Sequence, residues 1–392
     1  MMKRYCLALV GCCALAWSVQ AQDIDSLLHC IERNNKQLQA LQKDNEAAVE
    51  EIKSENTAGD LSLEYSPFFR RGTDGMASSE LVVTQGFDFP TLYAARRKAA
   101  ESRGEALAWS YRSARRDILW QAKSLCLDLV YLNRAATLLE KRRMNSEKLL
   151  ALYEKRLADG DATAIEVNKI KMDQMSIAAE QAQMETTRQN TLHALAALNG
   201  NVPFDFGGGT DYPAVPVGSD EALYERMMRS DLALRGAEAE TESTAQELNV
   251  SKQNLLPKLE IGYRRNTETG EASHGFLVGG SLSLFPNRRK VKVARARQLS
   301  ARLKQDEARV QAEQRARAKV KELRQLETAV AAYDTRLMHQ TLEALRKSVE
   351  GGQISLTDYY VEADAVYRNL QTALQLERQY QGVAAEIGKD EL

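Results

Sequence analysis

Residues able to do chemistry are few and scattered in this chain. The four histidines, His29, His193, His274 and His339, lie near no cysteine and no repeated acid cluster. Metal binding and acid–base catalysis both need convergent partners, which an isolated helical histidine lacks. No Ser/His/Asp set is present, and no glycine loop of the phosphate-cradling kind. The GGG run at Gly207 to Gly209 follows no strand and sits in a Pro- and Gly-rich stretch. Met172, Met175 and Met184 could offer thioethers to a soft metal such as copper, but methionines at helical spacing read more simply as seam packing. The residues thus propose no catalytic site, no metal site and no cofactor, and the chain reads as a non-enzyme.

The chain has 392 residues and is nearly neutral, with 53 basic against 54 acidic side chains. That balance argues against a nucleic-acid partner, which usually needs a positive excess. Aromatics are sparse and Ala, Glu, Gln, Arg and Leu abundant, a composition of long helices. At the N-terminus, Lys3 and Arg4 precede an apolar run from Tyr5 to Trp17 and a small-x-small site at Val19-Gln20-Ala21. Residues 1–21 therefore read as a secretory signal peptide, too short to remain as a membrane anchor. Leu9-Val10-Gly11-Cys12 also resembles a lipoprotein box, with Cys12 as the lipidated residue. After cleavage only Cys30 and Cys126 remain, too few for a disulfide framework or a zinc site. The final four residues, Lys389-Asp390-Glu391-Leu392, spell a luminal retrieval signal if the cell is eukaryotic.

The elements come in two similar sets, residues 22–200 and 220–388, joined by a Gly- and Pro-rich linker at 201–219, with 389–392 as a tail. Each set opens with a polar helical stretch, "IERNNKQLQALQKDNEAAVEEIKSE" and "MMRSDLALRGAEAETESTAQELNVSKQ". Each continues with a β-hairpin, about 61–89 and 258–285, and then a helical hairpin, about 91–199 and 287–387. "TQGFDFPTLYAARRKAA" and "GSLSLFPNRRKVKVARA" place a Phe-Pro break between strand and basic helix in both.

Coiled-coil spacing runs through Ile118, Ala122, Leu125, Leu129, Leu132, Ala136 and Leu139. It recurs at Leu323, Leu326, Val330, Tyr333 and Leu337, and again at Leu356, Tyr360, Ala363, Tyr367, Leu370 and Leu374. Steps of four and three build a seam against a neighbouring helix. Asp159-Gly160-Asp161 and Gly351-Gly352 then fold each long helix back on itself.

The strands alternate instead. Leu61, Leu63 and Tyr65, like Leu259, Ile261 and Tyr263, are separated by polar or small residues. That pattern fits a half-buried sheet or an outer-membrane barrel strand with its apolar side toward lipid. Four strands cannot close a barrel and open edges are not tolerated in lipid, so lipid-facing strands would require several chains to share one barrel.

In this duplicated order of short helix, strand hairpin, Phe-Pro junction and long helical hairpin, residues 23–388 resemble the TolC family of bacterial outer-membrane efflux factors. The turn segments "LADGDATAIEV" and "VEGGQISLTDY" resemble that family's glycine turns. The resemblance implies a mostly α fold with a small membrane β part. It implies a homotrimer whose three chains form a 12-stranded barrel in outer-membrane lipid and a helical tunnel through the periplasm. The implied partners are a periplasmic adaptor (membrane fusion) protein and an inner-membrane transporter, which deliver small molecules, metal ions or polypeptides for export. "NNKQL" and "SDLAL" lack the proline usual at the family's helix-start segment.

The resemblance also assigns residues. In the family an aspartate after the second turn rings the periplasmic entrance. The matching position here is Asp358, and the first half offers Glu166. A ring of carboxylates would favour cations, although an acid at a helix start is favourable in its own right, the stronger reading for Glu166. The tips Asp159, Gly160 and Asp161, and Gly351, Gly352 and Gln353, would touch the adaptor. Phe89-Pro90 and Phe285-Pro286 would mark where strand leaves the membrane and tunnel helix begins. Arg96, Arg97 and Lys98 oppose the helix dipole, so they read as contacts to the periplasmic leaflet. Two alternatives compete: a periplasmic adaptor would show one hairpin flanked by compact β domains, and a luminal coiled-coil scaffold would leave the strands unexplained.

Overall fold

Residues 24–72, 75–214, 218–268, 271–281 and 288–392 are described by the computed structural model. The expected signal peptide with Cys12, and the second junction at Phe285-Pro286, lie outside the described residues. In chain order the elements are α1 (Ile24–Asn34), α2 (Lys36–Ser54), β1 (Leu61–Phe68), β2 (Ser78–Phe87), α3 (Pro90–Asp159) and α4 (Ala164–Leu198). There follow α5 (Asp220–Ser230), α6 (Leu232–Gln253), β3 (Lys258–Glu268), β4 (Glu271–Ser281), α7 (Arg288–Ala331), α8 (Thr335–Glu350) and α9 (Leu356–Ile387), with a final 3-10 turn at Lys389–Glu391. The protein is mostly helical with one small antiparallel sheet. None of its described helices is long and apolar enough to cross a membrane.

Helix α3 runs unbroken for 70 residues, about 105 Å at 1.5 Å per residue. Its middle is packed on several sides. Ile118, Leu119, Ala122, Leu127 and Leu129 join Leu27 and Ile31 of α1, Leu195 of α4 and Phe206 of the linker in one core. Burial on more than one seam explains why Leu119 and Leu127 are covered while Ala136, expected on the single seam, is exposed. A second core lies at the far end of the helices, where Leu149, Ile170, Val349, Leu356 and Tyr367 bring α3, α4, α8 and α9 together. Side by side, the upper helices run α2, α3, α6, α7, and the lower ones α4, α3, α9, α8.

Three helix breaks differ from the sequence expectation, and an Asx residue makes each. The polar stretch before β1 divides at Asn35, whose side chain accepts from the Leu38 amide at 3.0 Å and donates to the Leu198 carbonyl at 2.9 Å. Asp231 divides α5 from α6, accepting from the Leu234 amide at 2.8 Å and from Arg315 at 2.9 Å. These are the two segments without the proline; an Asn or Asp cap satisfies the restarting helix's free amides instead. Asp334 caps α8 the same way, accepting from the Leu337 amide at 2.9 Å. The heptad expected to run through Tyr333 and Leu337 therefore stops near Val330, and Leu337 is 58% exposed.

The sheet has strand order β1-β2-β3-β4, all antiparallel. Register places Leu63 opposite Val83, Val83 opposite Tyr263, and Tyr263 opposite Phe276, so an apolar row crosses all four strands on one face. The other face carries Glu64, Glu80, Arg264 and glycines, with Arg264 paired to Glu80 at 2.9 Å. Among the described residues β1 and β4 each pair on one side only.

The linker and the tail are both docked. Asn133 donates to the carbonyls of Gly207 and Gly209 at 2.6 and 2.8 Å, which fixes the GGG run against α3. Of the tail residues, Asp390 pairs with Arg116, and Glu391 with Arg226 at 2.5 Å, while the Leu392 carbonyl accepts from Arg115. Lys389 reaches Glu386 at 3.3 Å. The four residues that spell a retrieval signal are thus engaged by the chain's own helices.

Candidate functional site

The two hairpin tips are built alike. Gly160 ends α3 with φ 82°, and the next amide, Asp161, donates back to the Arg156 carbonyl at 2.7 Å. Gly352 has φ 71°, and Gln353 donates to the Ser348 carbonyl at 2.8 Å. Both close a helix with a left-handed residue and a 6→1 hydrogen bond, a geometry that a side chain at either glycine would strain. The returning helices then start on a hydroxyl. The Thr163 hydroxyl accepts from the Glu166 amide at 3.3 Å, and the Glu166 carboxylate accepts from the Thr163 amide at 2.8 Å. Ser355 accepts from the Asp358 amide at 3.1 Å and donates its own proton to the Asp358 carboxylate at 2.7 Å.

Glu166 and Asp358 therefore occupy the same place, three residues after the cap; Asp358 is exposed and Glu166 half-buried. Within one chain each does helix-start work, and the Thr163 amide, then its hydroxyl, hold the Glu166 carboxyl below the usual carboxylate range. Asp159, Gly160, Asp161, Gly351, Gly352 and Gln353 are all exposed at the extremity. One residue that sequence reasoning passed over ties the tips together. Arg156 of α3 donates to the Glu350 carbonyl at 2.7 Å and the Val349 carbonyl at 3.4 Å, satisfying the open end of α8. An arginine in the last turn of one helix gave no signal that it serves another.

Above the tips lies a polar link between hairpins. Arg142 pairs with Asp173 at 2.7 Å, both largely covered, and its guanidinium lies 5.3 Å from the Tyr367 ring centre. Burial pushes the Tyr359, Tyr360 and Tyr367 hydroxyls up, so all three remain neutral. Met172 and Met175, expected in a seam, are instead 59% and 70% exposed, because α4 lies at the edge of the lower layer. Among the described residues no group of His, Cys, Asp and Glu could hold a metal ion. Cys30 and Cys126 are free thiols; burial first, then the nearby Asp128, pushes the Cys126 thiol up to about 12.

At the other end, β2 stops at Phe87, Phe89 is the N-cap of α3, and Pro90 is its first residue. Proline suits that position because its missing amide proton has no partner there anyway. The organiser of the junction is Asp88. It pairs with Arg96 at 2.9 Å and with Lys258, the first residue of β3, at 3.6 Å. Its amide donates to the Tyr93 hydroxyl at 3.0 Å. Arg96 thus has a partner inside the chain, and Arg97 pairs with Glu101 at 3.1 Å. An acid directly before Phe-Pro and a base two turns later was the available signal.

The sheet's apolar row is open to its surroundings. Leu63 is 69% exposed, Phe276 90% and Val278 84%. Monomeric soluble proteins rarely expose so contiguous an apolar face.

No family model matches the sequence, and no curated protein matches it. Solved structures do match the fold. The outer membrane protein VceC of Vibrio cholerae superposes with a TM-score of 0.76 at 18% identity, over 94% of this chain and 95% of that one. The Campylobacter jejuni CmeC outer membrane channel gives 0.73 at 14%, over 96% and 90%. The open state of the Neisseria gonorrhoeae MtrE outer membrane channel gives 0.73 at 15%, over 94% and 88%. Along nearly its whole length, this chain has the fold of the outer-membrane channels.

Proposed function

We propose that the chain is a subunit of an outer-membrane exit duct of the TolC kind, working at the end of a tripartite efflux system. The observation that carries this reading is the four-stranded sheet, apolar and exposed on one face, unpaired at both edges among the described residues, and followed at β2 by a helix about 105 Å long. An open sheet is intolerable in lipid, so β4 of one copy must pair with β1 of the next until the ring closes. Three copies give twelve strands, wide enough to leave a lumen lined by the polar face. The helices then continue that lumen into the periplasm. An adaptor and an inner-membrane transporter are the partners this reading requires, with the tips around Gly160 and Gly352 as the adaptor's contact. A periplasmic adaptor role for the chain itself has less support, because two helical hairpins share one sheet.

The duct needs no chemistry. Its one electrostatic element is at the tips, where three copies of Asp358 would encircle the narrow end and favour cations. Fractionation tests the reading as a whole: the protein should run from outer membranes as an oligomer that heating converts to monomer. A monomer recovered in the soluble periplasm would overturn it. Planar-bilayer recordings test the gate, since Asp358→Asn should weaken cation selectivity while conductance persists. Unchanged selectivity would remove Asp358 from the pore.

A further inference from the structure

Resting on the duct reading above, we infer that the start of α7 is a docking surface for anionic phospholipid headgroups of the periplasmic leaflet. Between Arg288 and Gln305 the chain has eight basic residues and no acidic one. Arg288, Arg289, Lys290, Lys292 and Arg295 crowd into about 11 Å of helix, and all five are exposed. None of the eight forms an ion pair with another described residue. Cations at a helix start oppose the dipole and one another, so the cluster is unfavourable until anions join it.

The duplicated plan supplies an internal control. An equal length of α3, Pro90 to Leu107, holds four basic residues and two acidic ones. Three of the four are answered within the chain: Arg96 by Asp88 at 2.9 Å, Arg97 by Glu101 at 3.1 Å, and Arg103 by Glu240 at 2.8 Å. One long helix thus starts with its charge compensated, and the other keeps its whole charge.

Position names the anion. Lys258 opens β3 opposite Ser281, the last residue of β4, and reaches Asp88 just before α3. The end of β4 is therefore level with the start of α3, and six residues separate Ser281 from Arg288. On β4, Phe276 and Val278 belong to the exposed apolar row, which the duct reading turns toward acyl chains. Headgroups border that layer, within reach of long arginine and lysine side chains. A run of four to eight cations directly beside a membrane-embedded segment attracts anionic lipid, and a guanidinium can hold a phosphate through two hydrogen bonds. A leaflet answers both the charge and the apolar strand beside it; an acidic protein segment answers the charge alone.

The test places full-length protein from outer membranes in phosphatidylcholine vesicles, with spin-labelled phosphatidylglycerol or phosphatidylcholine as the probe. Electron paramagnetic resonance separates lipid held at the protein from bulk lipid. Wild-type protein should hold phosphatidylglycerol about fivefold over phosphatidylcholine, and the preference should fade at about 1 M salt. Arg288→Gln, Arg289→Gln, Lys290→Gln, Lys292→Gln and Arg295→Gln combined should remove most of it. Arg302→Gln, Lys304→Gln and Arg309→Gln combined, farther along the same helix, should leave it unchanged. A wild-type protein without the preference overturns the proposal before any variant is made. So does a preference that survives the first set of replacements, or one that the control set abolishes equally. Loss of the oligomer from pure phosphatidylcholine vesicles in the first set assigns the cations to a protein contact and overturns it as well. Each of these outcomes leaves the duct reading standing, whereas wild-type protein found only in the soluble periplasm sinks both.

Discussion

The two ends of this molecule treat the same kinds of residue in opposite ways. At the tips, Leu149, Ile170 and Leu356 vanish into a core shared by four helices. On the sheet, Leu63, Phe276 and Val278 stand exposed. Each tip is closed by bonds within the chain: a 6→1 glycine turn, a hydroxyl cap, and Arg156 on the end of α8. The sheet keeps two unpaired edges. One end is finished by the chain itself, and the other is left open by it.

The sheet end offers the largest effect. Val278→Arg places a charge on the apolar row, where a lipid-facing barrel position costs about 2–4 kcal/mol at mid-bilayer. Three copies multiply that cost, so assembled protein in outer membranes should disappear, as measured by the fraction resisting dissociation before heating. Glu260, on the opposite face and exposed, offers a control; Glu260→Gln should assemble normally. Equal tolerance at both positions would collapse the contrast between the ends.

Next in size is the tip core. Leu149→Ala removes a side chain that is 1% exposed, with an expected loss of about 3 kcal/mol from transfer and cavity terms. That loss should appear as local opening, with faster amide exchange in α4 and α9 near the tips, while the amount of assembled barrel stays unchanged. A drop in assembly equal to that of Val278→Arg would show that the ends are not independent.

The sheet end was the more legible in sequence. Period-two alternation names the apolar face directly, because neither face is crowded by another layer, and Leu61, Leu63 and Tyr65 share one exposed face. The helices were legible in kind but not in punctuation. Asn35, Asp231 and Asp334 each end a helix through one side-chain hydrogen bond, a choice that periodicity cannot see because the apolar spacing continues across it. The junction was half legible: Phe89-Pro90 marks its position, yet the bonds that hold it belong to Asp88, which reaches Arg96 and, far along the chain, Lys258. Of the tip acids, the sequence supplied a position and a resemblance, while their cap geometry needed coordinates. Met172 and Met175 misled because helical spacing marks an apolar stripe without telling whether another helix covers it.

Caps give a smaller effect that sharpens the likeness between tips. Thr163→Ala and Ser355→Ala each remove the acceptor for an amide three residues on, at about 1 kcal/mol per helix start. Amide exchange in the first turn of α4 or of α9 should rise about fivefold in the matching variant and not in the other tip. Cross-talk between tips would mean that Arg156 couples them more tightly than the caps do.

The smallest effect is a pH dependence confined to one tip. The Glu166 carboxyl is held below its usual range by the Thr163 amide first and the Thr163 hydroxyl second. A carboxyl whose folded value is depressed contributes stability above its unfolded value, near 4.3, and loses it as pH falls through the folded value. Solvent still screens this half-buried group, so the contribution is a fraction of a kcal/mol. Corrected for intrinsic chemistry, exchange protection at the start of α4 should therefore weaken as pH drops below about 4.3, and Glu166→Gln should flatten that dependence at a slightly lower plateau. Protection that weakens equally in Glu166→Gln would assign the effect to another group at the tip.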